Sequence, residues 1–163
     1  MVDLNRMDWK ALFDALYPGF FDKPSIRALP RSGQWDEMVL DLKTFKPEET
    51  RISAPEGITY GFYTGDRVAL MRDVERVDDT WPECFKEGMR VYCAFDGDQA
   101  ASFCMLEHMG DYDGLRVGGP GCVGTLPEYR RRGIGLKMVQ NATAILASEG
   151  VDLSFIHYTG VAG

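Results

Sequence analysis

The chain is 163 residues long, 45% hydrophobic and 12% aromatic, enough for one domain with a sizeable core and too apolar for wholesale disorder. Its net charge of -7 and pI of about 4.8 argue against general nucleic-acid binding, which favours a basic face. No stretch nears the roughly 20 apolar residues of a membrane span, and the four cysteines lack Cys-x-x-Cys spacing, so reduced thiols, no structural zinc and a cytoplasmic location are expected.

The N-terminus carries Asp3 and Asp8 and no long apolar run, which is not the pattern of a secretory signal. Asp8 can cap a short helix over 8–17, in which Trp9, Leu12, Phe13 and Leu16 fall at i, i+3, i+4 and i+7. Pro18-Gly19 ends it, and a Pro-interrupted loop follows as far as Gly33. Met38, Leu40 and Leu42 share one face of an expected strand over 37–42. Residues 43–57 read as a connecting loop. Residues 1–56 match no motif and are expected to form an N-terminal extension packed on a main domain of 57–163.

Residues 58–63 predict the first strand of that main domain. Thr64 can cap a helix over 66–77, with Val68, Leu70 or Met71, Val74 and Val77 inward. Thr80-Trp81-Pro82-Glu83 has capping-box spacing with Pro in the first turn, and predicts a second short helix stopping at Gly88. Strands over 90–95 and 99–108 flank Asp96-Gly97-Asp98, a hairpin signal. Residues 110–114 read as a loop. The strand over 115–126 is interrupted by Gly118-Gly119-Pro120-Gly121, which predicts a bulge or a strand break. A helix from Gly133 to about Glu149 follows, with Ile134, Met138, Ala142 and Ile145 inward and Gly150 as terminator. Residues 151–157, mostly apolar from Leu153, predict a strand paired on both sides.

The turn into that last helix is Arg130-Arg131-Arg132-Gly133-Ile134-Gly135. Its glycines let backbone approach a ligand closely. The first amides of a helix have no partner inside it, and the helix dipole adds partial positive charge there. With three arginines in an acidic chain, this makes an anion site suited to phosphate or pyrophosphate. A solvated surface turn is the bland alternative. A Walker A loop does not fit, because no Lys-Ser or Lys-Thr follows the glycines, and a dinucleotide fingerprint would need a glycine where Met138 stands.

Arg130-x-x-Gly133-x-Gly135, preceded by Pro127-Glu128-Tyr129 after a strand, resembles the signature of the GNAT superfamily of N-acetyltransferases. The element order from residue 58 matches the first two thirds of that fold. The resemblance covers 58–157, and its specific motif lies in 122–139. It implies an α/β fold with a GNAT-like mixed central sheet flanked by helices, the family's C-terminal helix and last two strands being missing. Either the sequence is a fragment, or residues 1–56, or a partner in a homodimer, stand in for them.

The resemblance also implies a reaction: transfer of an acetyl group from acetyl-CoA to a primary amine, small molecule or peptide, in a ternary complex without a metal. It assigns the CoA pyrophosphate to Arg130, Arg131, Arg132, Gly133, Ile134, Gly135 and Leu136. It assigns the pantetheine arm to the strand edge at Val123 and Thr125, which is free only if that strand diverges from 151–157. An amide near Val123 could stabilise a developing oxyanion. Glu107 is the candidate general base, acting through water, ahead of His108, Asp111 and Asp113; its bland reading is a solvated strand-end carboxylate. Tyr158 is the candidate acid, in place of a tyrosine on the missing helix. Cys122 reads as a packing residue more than an acyl carrier. Acids at Asp73, Glu75, Asp78, Asp79, Glu83 and Glu87 would either attract a cationic acceptor or form a solvated helix face. The runner-up function is an acyl-CoA-binding module of the same fold without turnover.

Overall fold

The computed structural model describes residues 3–28, 36–50 and 52–159, of which 21, 25, 26, 36, 37 and 157–159 by backbone alone. Its strands are β1 (Asp36–Asp41), β2 (Ile58–Phe62), β3 (Val91–Asp96), β4 (Gln99–Tyr112), β5 (Leu115–Thr125) and β6 (Leu153–Thr159). They form one sheet in the order β1-β6-β5-β4-β3-β2. From β2 to β5 the sheet is an antiparallel meander, β5 and β6 run parallel, and β6 is antiparallel to β1. The helices are α1 (Trp9–Leu16), α2 (Pro24–Arg27), α3 (Arg67–Val77) and α4 (Ile134–Ser148). This is the mixed, helix-flanked α/β sheet that the sequence predicts.

Side-chain alternation along the strands sorts the core into two layers. Tyr92, Ala94, Cys104 and Leu106 turn towards Ile134, Met138, Ala142 and Leu146 of α4. Val91, Cys93, Phe103 and Met105 turn the other way, beneath Leu70 and Val74 of α3 and beneath Phe85. Farther along this second face, Leu12 and Phe13 of α1 pack on Val117, Leu153 and Phe155. Each such large apolar side chain withdrawn from water contributes about 1.5–3 kcal/mol. The segment after β1 is strapped to α4: Gln140 Nε2 donates to the carbonyls of Pro47 and Thr50 at 3.2 and 3.3 Å.

Several local expectations are corrected. No α-helix forms over 80–88; the chain makes only a 3-10 turn, Trp81–Cys84, before Phe85 dives into the core. The cap of α3 is Asp66, not Thr64: its carboxylate accepts from Val68 N at 3.0 Å, and Tyr63 Oη fixes the Asp66 carbonyl at 2.8 Å. Residues 110–114 are not a loop. β4 runs on to Tyr112 and turns at Asp113-Gly114, whose φ values of 50° and 75° suit a tight primed hairpin turn. Gly150, at φ 83°, closes α4 with Gly150 N to Ala147 O and Val151 N to Leu146 O, both 3.1 Å, so the last strand starts at 153.

The glycine run of β5 does not break the strand. β5 pairs with β4 from Leu115 to Thr125. The glycines sit where neighbouring backbone leaves no room: a Cβ on Gly119 would fall 2.0 Å from the Phe155 carbonyl oxygen, and one on Gly118 2.7 Å from that of Glu107. Gly119→Ala is therefore expected to cost about 3 kcal/mol or more. Gly61→Ala, with open space around its Cβ, should change stability by no more than about 0.5 kcal/mol. Urea denaturation of both variants checks the contrast.

Candidate active site

The site is built on the parting of β5 from β6. Their ladder holds only two pairs, Val117↔Leu153 and Gly118↔Ser154. Below it Asp152 brackets Arg116, with Asp152 N to Arg116 O and Arg116 N to Asp152 Oδ2 both at 2.9 Å. Beyond it β6 follows β1, pairing Phe155 with Val39 and Ile156 with Met38, while β5 stays with β4. A bulge drives the two apart. Between the pairs Met105↔Gly121 and Phe103↔Gly124, Cys122 and Val123 of β5 oppose the single residue Cys104. Cys122 takes a left-handed φ of 44°, and such a bulge bends its strand and increases local twist. Val123 and Thr125 thus lie on a stretch flanked by β4 on one side and, among the described residues, by no ladder partner on the other.

The expected phosphate residues gather at the mouth of this gap. After β5 a 3-10 turn, Pro127–Tyr129, leads to Arg130, whose Nε donates to Thr125 O at 3.0 Å. Arg131 and Gly133 both adopt left-handed conformations, φ 59° and 76°. Gly133 caps α4 without any side-chain cap bond. The first helical bond is Lys137 N to Gly133 O, at 3.1 Å, so the amides just before it have no acceptor within the helix. Gly135 lets α4 lie against the end of β5, since a Cβ there would come 2.8 Å from Thr125 Oγ1. That hydroxyl is 2.9 Å from Ser102 Oγ, which bonds Gly124 O at 2.7 Å. Ile134 is buried in the core and Leu136 is exposed, so Ile134 can offer a ligand only its backbone. Arg132 stacks over Tyr129, 5.5 Å from the ring centroid, and Tyr129 Oη donates to Asp96 Oδ2 at 3.0 Å. Arg130 and Arg132 thus also brace the turn itself.

Glu107 lies on the opposite face of the sheet from α4. A Cβ on Gly121 would stand 3.6 Å from Glu107 Oε2, which puts the carboxylate beside β5 just before the bulge. Burial pushes this carboxyl above its ordinary 4.5, and Lys86 pulls weakly the other way. His108 points to the α4 face instead, where its Nε2 is 3.3 Å from Glu149, which also takes two bonds from Arg90 at 2.8 and 2.9 Å. Asp111 and Asp113 are exposed in the distal hairpin. Tyr158 lies on β6, and its side chain is outside the described part of the structure. An open cleft of about 320 Å³ runs beside Glu107, lined also by Gly88, Met89, Arg90, Leu106 and His108. Several of the acids in 73–87 have local duties: Asp73 accepts from Gln99 at 2.8 Å, and Asp78 from Thr80 N at 2.9 Å.

Two groups near Glu107 were not expected from the sequence. Tyr17, just past α1, has its phenol pushed up first by burial, then by the negative charge of Glu107 and by Cys122. Cys84, at the end of the 3-10 turn, has its thiol lowered to about 7, first by the Cys122 thiol, with burial opposing. Tyr17 does follow Phe13 by four positions on the inner stripe of α1, but nothing in the sequence says which strand that stripe covers.

A profile of the acetyltransferase (GNAT) family matches residues 58–160. Comparison with curated protein sequences gave no match. The fold is similar to the GCN5-related glucosamine N-acetyltransferase region of a fungal multi-domain GH3 β-N-acetylglucosaminidase, with TM-score 0.59, 21% identity, and 77% of this chain and 19% of that one covered. It is also similar to a GCN5-related N-acetyltransferase from Sphaerobacter thermophilus, with TM-score 0.56, 22% identity and coverages of 79% and 44%. A third, from Kribbella flavida, gives 0.53, 16%, 86% and 54%. The chain thus spans about half or less of the length of these structures, and at such identities the likeness is one of fold.

The Glu107 carboxyl gives a stability signature. Folded, it holds its proton more tightly than unfolded, so the folded chain binds the extra proton above about pH 4.5. Stability from this group is fully present below the unfolded pKa and is lost as pH rises towards the folded one. Glu107→Gln should therefore gain stability relative to the parent on going from about pH 4 to about pH 8. Urea denaturation across that range measures it; a constant difference would contradict the burial of this carboxyl.

Proposed function

The chain belongs to the acetyltransferase (GNAT) family, and on that premise we propose that it moves an acetyl group from acetyl-CoA to a primary amine by direct attack in a ternary complex. The acceptor is an amine of a small molecule or peptide. The observation that carries this reading is the gap between β5 and β6 with the uncapped start of α4 at its mouth.

The residues present fit the co-substrate. A pyrophosphate needs several converging donors and positive charge. The amides at the start of α4, with the exposed Arg131 and Arg132, offer both, and a Cβ on Gly133 would meet nothing within 4 Å, so the approach is open. The amide-rich pantetheine arm suits the backbone of Val123 and Thr125. Bound acetyl-CoA supplies an activated acetyl thioester. The chain's part is to hold the two substrates together and to move protons. Glu107, raised by burial, is the group that takes the amine proton, directly or through water, since a base works best with a pKa near the working pH. The acceptor enters by the cleft over Gly88–Arg90. Tyr158 is the proposed donor to the departing thiolate. A reducing, cytoplasmic setting suits the four free cysteines.

The tests separate binding from turnover. Gly133→Asp puts a negative charge into the anion site and should weaken acetyl-CoA binding about tenfold to a hundredfold in calorimetry. Unchanged affinity would remove the pyrophosphate from this turn. Glu107→Gln should keep acetyl-CoA affinity and lower thiol release, measured with a panel of amines, roughly a hundredfold or more. Tight binding with no release for any amine would leave the acyl-CoA-binding module as the function.

A further inference from the structure

The acetyl-transfer reading gives no part to Ser102. It is the one polar side chain in the buried run 100–106 of β4, and it is fully enclosed. A buried hydroxyl needs hydrogen-bond partners, and Ser102 Oγ has two: Gly124 O at 2.7 Å and Thr125 Oγ1 at 2.9 Å. A carbonyl can only accept, so the single Ser102 proton goes to Gly124 O. Ser102 then has no proton for Thr125, and the second bond must run from Thr125 Oγ1 to Ser102 Oγ. The two bonds form a chain with one direction, from Thr125 through Ser102 to the Gly124 carbonyl, just past the bulge.

The rest of Thr125 is equally committed. Ser102 and Thr125 face each other across the β4–β5 ladder, and the bond beside them runs from Leu126 N to Ala101 O at 3.0 Å. Main-chain groups alternate along a strand, so those of Leu126 turn to β4 and those of Thr125 turn to the gap. There Arg130 Nε donates to the Thr125 carbonyl at 3.0 Å, and the Thr125 amide is left facing the gap as a donor. The Thr125 hydroxyl, its proton spent, offers lone pairs only. That oxygen lies against the start of α4, where a Cβ on Gly135 would come 2.8 Å from it and 3.5 Å from Ser102 Oγ.

We propose that Ser102 is a positioning residue for acetyl-CoA: it touches no substrate, and it acts by holding Thr125 and the Gly124 peptide in the one arrangement that joins the β5 edge to the start of α4. This rests on the acetyl-CoA reading above. The Thr125 oxygen, made an acceptor by Ser102, repels phosphate oxygens, which carry lone pairs and charge, and so keeps a pyrophosphate on the uncapped amides of α4. The Thr125 amide, on the gap side, is the donor offered to a carbonyl of the pantetheine arm. Ser102 thus sets, from inside the core, the boundary between the two parts of the co-substrate.

The test is calorimetry of the full chain with acetyl-CoA, with urea denaturation of the same variants alongside. Ser102→Ala should weaken acetyl-CoA binding about fivefold to tenfold, the worth of one net hydrogen bond. Thr125→Val should weaken it by as much, and the double variant no more than either single one, because both cut the same chain. Thr125→Ser keeps the hydroxyl and should bind within about twofold of the parent; its contrast with Thr125→Val carries the test if Ser102→Ala does not fold. A residue that served the fold alone would shift the urea midpoint and leave the dissociation constant where it was. Unchanged or tighter binding by Ser102→Ala, additive losses in the double variant, or equal losses for Thr125→Ser and Thr125→Val would each overturn the proposal. A parent chain that does not bind acetyl-CoA would overturn the acetyl-CoA reading and the proposal with it; a parent that binds, with variants that do not respond, overturns the proposal alone.

Discussion

Two strands that run side by side here share only two ladder pairs, and the site depends on that. Val117 and Gly118 pair with Leu153 and Ser154, and just beyond them the backbones come so close that Gly119 can carry no side chain against the Phe155 carbonyl. The bulge at Cys122 and Val123 then turns β5 away. A strand held by so short a ladder would be weakly fixed. β6 keeps its place because β1, from far upstream, pairs along its other edge. The gap can therefore open without releasing either wall, each wall keeping a strand on its outer side.

The sheet also divides the chemistry. The arginine–glycine turn and α4 lie on one face, and Glu107, Tyr17 and Cys122 on the other. β5 is common to both. Its end, through Thr125, Ser102 and Gly135, fixes where α4 begins, and its bulge fixes where the Glu107 carboxylate faces backbone. A change in the β5 register would move both sides of the site together, because side chains alternate along a strand.

How much of this was legible in the sequence differed by feature. The turn into α4 was legible because its signals are local: glycines at two fixed positions, arginines and a helix start are all contiguous. The long helix and the central strands were legible from their apolar periods. The 3-10 turn at 81–84 was misread because Thr80 and Glu83 do mimic a helix start, whereas the ring contacts of Trp81 and Phe85 with Phe103 decide the conformation, and sequence spacing does not contain those contacts. The glycine run was read as a bulge or a break; the bulge lies directly after it, at Cys122 and Val123, and only with the Phe155 and Glu107 carbonyls in place does the run itself become a packing seam. Glu107 could be named from its position near a strand end, but its burial and its closeness to Tyr17 come from α1 lying over β4.

The pairing of β1 with β6 bears on the order of assembly. Asp41 faces Leu153, so one edge of the sheet joins segments separated by most of the chain, and loop closure over such a distance is entropically costly before any contact rewards it. The β2–β5 meander is built from near neighbours and can form early. β1 has to wait without a pairing strand until α4 and β6 have been made, when its Val39 pairs with Phe155 and packs on the cluster around Leu12 and Phe13. On the ribosome β1 thus emerges well before the strand it pairs with, and the gap acquires its second wall only once β6 has followed α4.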